Sequence, residues 1–199
     1  LTWTSGASDS GEYWVLRHSL NGTTIVATVT TTPTSTKNYV FYTLTTNTLH
    51  YLAVAASDFQ AQTSTFSTTT AYTTAATPFA VTLTSASAQT LAFTMATNSN
   101  PAASTTYVIK DTGPGGLKYL QANSTWGSAT ATLDWFQLGG GSASTTSGLA
   151  TSSLHIISVA AVNGDSTATT TYSDTASLYT QAATPFAVTL TSASAQTLA

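Results

Sequence analysis

With 199 residues the chain has room for one or two domains, and its 46 Thr and 25 Ser put a hydroxyl on 71 positions while charged residues make up only 6%. Scarce Glu and Lys beside abundant Thr, Tyr and Val disfavour helix and favour strands, and a hydrophobic share of 42% excludes general disorder. A net charge of -3, with only Arg17, Lys37, Lys110 and Lys118 as cations, excludes a nucleic-acid-binding face; no apolar run reaches the length of a membrane span, and zero cysteines exclude disulfides and thiolate metal sites.

Taken in chain order, Tyr13 to His18 alternates bulky residues, Leu20-Asn21-Gly22 follows, and Thr23 to Thr30 alternates again. That pattern predicts a hairpin closed by a type I′ turn, because Asn and Gly both tolerate positive φ. His50 to Ala56 alternates at period two with small or branched residues. Phe79 to Thr84 and Gln89 to Thr94 form a further strand pair, and His155 to Ala161 repeats the pattern of His50 to Ala56. Pro33, Pro78, Pro101, Pro114 and Pro185 fall between the apolar runs. Short strands without helical periodicity predict an all-β sandwich architecture.

Internal repetition sets the organisation. Ala75 to Ala92 reads AATPFAVTLTSASAQTLA, and Ala182 to Ala199 repeats all 18 residues, 107 positions later. Weaker matches align Leu44–Ala56 with Leu149–Ala161, Tyr13–Arg17 with Tyr107–Asp111, and Leu1-Thr2-Trp3 with Leu91-Ala92-Phe93. The expected units are therefore 1–75, lacking a first strand, 76–181, with an insert near 112–147, and 182–199, the opening strand of a third repeat. Such phasing has the outline of a window on a longer polymer.

The positions Pro78, Phe93, Tyr107-Val108-Ile109, Gly148-Leu149, His155, Ile157, Val159, Ala161 and Asn163-Gly164, with Trp3, Tyr13-Trp14-Val15, Leu44, His50, Leu52, Val54 and Ala56 in the first unit, carry a resemblance. As a set they resemble the fibronectin type III domains, in tandem, as in bacterial or archaeal extracellular surface proteins. The resemblance implies that His50 and His155 replace the family's corner tyrosine, each bonding main chain through a ring nitrogen. It also implies that Tyr13 and Val15 face the core. Trp14 and Leu16 would then point outward beside Tyr51, gathering on one uncharged lateral interface.

Catalytic and metal readings find little support. There is no Gly-x-Ser-x-Gly elbow, no His-x-x-x-His pair and no phosphate loop, and Asp9, Asp58, Asp165 and Asp174 are scattered loop acids without a calcium-loop spacing. No cofactor and no enzyme activity are expected. Trp126, Trp135 and Phe136 in the insert offer candidate glycan contacts, although packing explains them as well. Asn21-Gly22-Thr23 and Asn123-Ser124-Thr125 are glycosylation sequons that so Thr-rich a chain produces by chance.

These readings converge on a structural repeat of an extracellular or cell-surface filament, sheath or stalk. Its partners are copies of itself, joined by strand completion and uncharged lateral faces. An adhesin that binds glycans, or spacer domains of a secreted polysaccharide hydrolase, are the alternatives.

Overall fold

A computed structural model describes residues 1–4, 13–31, 38–141, 144–187, 193–194 and 197–198. Alternating, branched sequence produces strands throughout, and the turn at Gly139–Gly141 is the one helical element among the described residues. The first half supplies β1 (Tyr13–Ser19), β2 (Ile25–Thr31), β3 (Leu49–Ser57) and β4 (Ser67–Tyr72), an antiparallel sheet in the order β2-β1-β3-β4. Across from it Leu1–Thr4 runs beside Asn38–Phe41. Thr2 bridges Asn38, and Leu1 and Tyr39 exchange two main-chain hydrogen bonds of 2.9 Å.

The second half supplies β5 (Thr82–Ala86), β6 (Leu91–Thr94), β7 (Thr106–Asp111), β8 (Lys118–Leu120), β9 (Trp126–Gly127), β10 (Leu133–Asp134), β11 (Ser144–Thr146), β12 (Leu154–Val162) and β13 (Ala176–Tyr179). One sheet runs β11-β6-β5; the other runs β13-β12-β7-β8-β9, with β10 also paired to β7. Side chains alternating inward from both sheets meet in a core of Phe93, Tyr107, Ile109, Ile157, Val159 and Ala161, none more than 2% exposed. The 112–147 insert contributes Leu120, Leu133 and Leu138 to that core.

Two local expectations differ from the structure. The Asn21-Gly22 turn is a longer loop: Ser19 pairs with Ile25, and only Gly22 takes positive φ. The Asn21 carboxamide accounts for this, accepting the Thr23 and Thr24 amides at 3.0 and 2.7 Å and capping a loop that leaves Asn21 in an ordinary conformation.

The second difference is one of register. Trp14 sits opposite Ala56 and Leu16 opposite Val54, as Tyr107 and Ile109 sit opposite Ala161 and Val159. The strand equivalent to Tyr107–Asp111 is thus Trp14–His18, one residue later than the sequence match. A one-residue slip turns every side chain to the other face. Trp14 and Leu16 are accordingly core residues, 7% and 0% exposed, and Tyr13, Val15 and Arg17 face out.

In the last segment β14 (Ala193–Ser194) pairs with β15 (Thr197–Leu198), Ala193 opposite Leu198. Ala86 sits opposite Leu91 in the first copy of the same sequence, so the local pairing recurs wherever the sequence does.

Candidate functional site

The two corner histidines occupy equivalent places on β3 and β12, 2% and 3% exposed. Neither uses main chain as its ring partner, contrary to the resemblance. Because His18 and Asp111 hold the same register position, each lies beside a corner. His50 Nδ1 is 2.6 Å from His18 Nε2, and His155 Nδ1 donates to Asp111 Oδ2 at 2.6 Å. Asp111 also accepts the Gly113 and Ile156 amides. In both corners the remaining histidine nitrogen is buried with no partner among the described residues.

Burial, and then the neighbouring His50, hold the His18 pKa below 6.5. The unfolded chain therefore binds the His18 proton more readily, and stability present above 6.5 is lost as pH falls from there through the lower value His18 has in the folded chain. The first sandwich is expected to melt at lower temperature at about pH 5 than at about pH 7. His18→Asp, which recreates the acid–histidine pair of the second corner, should reduce that difference. Calorimetry at the two pH values decides it, and equal acid sensitivity in wild type and variant would count against this origin.

Of the three residues expected on a lateral face, only Tyr51 lies there. Arg17 occupies the middle of that face, stacked over the Phe66 ring at 4.0 Å, and a groove of roughly 700 Å³ runs between Arg17, Tyr51, Phe66, Thr68 and Thr70. Lys110 stacks over Tyr172 at 3.6 Å in the corresponding place on the second sandwich. The face is therefore cationic at its centre, not charge-free.

The insert aromatics also part company. Trp126 and Trp135 pack against the core, Trp135 with its ring 6.0 Å from that of Tyr107, and only Phe136 projects, 78% exposed. No aromatic shelf forms from the three. Both sequons are exposed and share one turn, Asn21 and Asn123 each accepting the amide and hydroxyl of the Thr two residues on. Asp165 makes the same turn with Thr167, so the geometry is that of Asx-x-Thr in general. Asp58 caps its own loop through Gln60 and Gln62; Asp9 lies outside the described residues.

The richest polar assembly joins the sandwiches, and sequence reading missed it. Asn47, fully buried in the turn before β3, donates to Ser104 O at 3.0 Å and Thr105 Oγ1 at 2.6 Å. Its Oδ1 accepts the Gly164 amide at 2.9 Å, and its main-chain oxygen accepts Ser104 Oγ at 2.9 Å. The connecting residues are gripped in turn. Asn163 accepts the Ala75 amide, Asn100 bonds both the amide and the oxygen of Ala76, and Asn98 donates to Thr77 O, all at 2.7–2.8 Å. Gly164 is required here: a Cβ would lie 2.5 Å from the Tyr72 ring and 3.0 Å from Ser104 O. The available signal was compositional, since four of the seven Asn in the chain meet at this joint.

A second groove, roughly 260 Å³, lies between Leu1–Thr4 and Ser67–Thr69 with Val54 beside it.

No family model and no curated protein matches the sequence. Among solved structures, the two fibronectin type III domain segment of chicken tenascin is similar. Its TM-score is 0.53 at 12% identity, with 87% of this chain and 86% of that one covered. The FN1–FN3 domains of chicken CNTN1 give a TM-score of 0.42 at 13% identity, with this chain spanning 56% of that one. The fold is thus all-β, that of tandem fibronectin type III sandwiches.

Proposed function

We propose that the chain is a structural repeat of an extracellular filament, sheath or stalk, working mechanically as one segment of a polymer of its own copies. The observation that carries this reading is the joint. Asn47 satisfies its side chain entirely through the second sandwich, and three further asparagines hold Ala75–Thr77, so a change of angle would strand several buried polar groups. Each costs about 1–3 kcal/mol when left unpaired. A joint of that kind suits a load-bearing array; a freely swivelling tether would not need it.

A chain only 6% charged and a verbatim repeated segment support association between copies. The glycan-binding alternative is less favoured, because Trp126 and Trp135 pack, partly buried, against the core. Residual dipolar couplings of the full chain in an aligned medium test the reading. One alignment tensor should fit both sandwiches; two tensors of different magnitude would mean independent beads and would remove its basis.

A further inference from the structure

We infer that Asn163-Gly164 is a latent self-modification site: the docked joint holds the pair unreactive, and opening the joint lets the Gly164 nitrogen close on the Asn163 carboxamide. The inference rests on the rigid-joint reading and adds to it a chemical record of opening.

The chain contains Asn-Gly twice, at Asn21-Gly22 and Asn163-Gly164. In this dipeptide the main-chain nitrogen after Asn can attack the carboxamide carbon, since Gly has no Cβ to shield that nitrogen or restrict its approach. A bond forms between that nitrogen and Asn Cγ, closing a succinimide. The Cγ–Nδ2 bond breaks, and the amide proton leaves with the departing nitrogen as ammonia. Water then opens the ring at either carbonyl, giving aspartate or isoaspartate, and nothing is oxidised or reduced.

Both reacting groups are tied down at the joint. Gly164 N–H donates to Asn47 Oδ1 at 2.9 Å, and Asn163 Oδ1 accepts the Ala75 amide at 2.7 Å. The following turn fixes the Asn163 main chain, its N–H donating to Ala168 O at 2.9 Å and its oxygen accepting Ser166 N–H at 2.8 Å. Asn163 is 5% exposed, yet it borders a cleft of roughly 200 Å³ lined also by Thr77, Thr169 and Thr171. That cleft is roomy and polar enough for the water that hydrolysis consumes. The nucleophile is therefore held by the first sandwich, and reaction waits on local opening of the joint.

Isoaspartate routes the main chain through Cβ and Cγ, adding a methylene before the Gly164 nitrogen. The joint has no room for that shift, since even a Cβ on Gly164 would lie 2.5 Å from the Tyr72 ring. An opened joint that reacts stays open. Asn21-Gly22 supplies an internal clock: both residues are exposed, and among the described residues nothing accepts the Gly22 amide.

The test incubates the full chain in mildly alkaline buffer and follows amide-to-acid conversion at Asn21 and Asn163 by mass spectrometry of peptic fragments. In wild type Asn163 should lag Asn21 by about tenfold or more, because only the open fraction reacts. Asn47→Ala should speed Asn163 about tenfold and leave Asn21 unchanged. Ile157→Val, which loosens the second core away from the joint, should leave the lag in place. Wild type aged until Asn163 has reacted should need two alignment tensors. Equal rates at the two sites in wild type, an Asn163 rate indifferent to Asn47→Ala, an equal rise in Ile157→Val, or one tensor after reaction would each overturn the inference. If fresh wild type keeps one tensor while Asn163 reacts as fast as Asn21, the rigid joint stands and only the latch falls.

Discussion

Trp14→Glu is expected to unfold the first sandwich while leaving the second folded. Trp14 is 7% exposed, its ring packs edge-on against Trp3 at 5.7 Å, and its strand lies at the centre of the four-stranded sheet between β2 and β3. Truncating a buried Trp costs about 3–5 kcal/mol, and placing a carboxylate there adds a desolvation penalty. Among the described residues the first sandwich buries few large apolar side chains beyond Trp14 and Leu16, whereas the second buries Phe93, Tyr107, Ile109, Leu120, Leu133, Leu138 and Ile157. A small core cannot absorb a loss of that size. Thermal unfolding followed by NMR should show first-sandwich amide signals collapsed at temperatures where second-sandwich signals stay dispersed. A first sandwich that stays folded with the introduced carboxylate at its surface would contradict the observed register.

Asn47→Ala is expected to release the joint without unfolding either sandwich. The substitution strands the Gly164 amide and removes the donors to Ser104 O and Thr105 Oγ1, a loss of about 1–3 kcal/mol per unsatisfied buried group. Asn47 sits in a turn at positive φ, so Ala also adds local backbone strain. Separate alignment tensors for the two sandwiches, with unchanged chemical shifts in β1 and β12, are the predicted signature. Asn47→Ser is informative beside it, since Ser152 holds the equivalent turn in the second sandwich, also at positive φ. A single tensor surviving in Asn47→Ala would assign the joint's rigidity to the Ala75–Thr77 grip alone.

What the sequence made legible follows from where its pattern is unambiguous. β3 and β12 alternate small and branched residues around matching histidines, so both strands and the corner positions could be read directly. β1 could not be oriented, because Tyr13, Trp14, Val15 and Leu16 are apolar on both faces and alternation selects neither. The polar residue near the end of each strand, His18 or Asp111, carried the register, but its role shows only once its histidine partner is in place. For Trp126 and Trp135 the sequence favoured packing over a surface shelf, and folding the 112–147 insert back on β7 places them there. The joint was hidden for a different reason: Asn47 and Gly164 are 117 positions apart, and no local propensity links them.

The most direct test of a polymer-forming repeat is electron microscopy of the full chain across a concentration series. Unbranched filaments should form above a threshold concentration, with an axial repeat set by one two-sandwich unit. Monodisperse particles of single-chain size at every concentration would contradict the account.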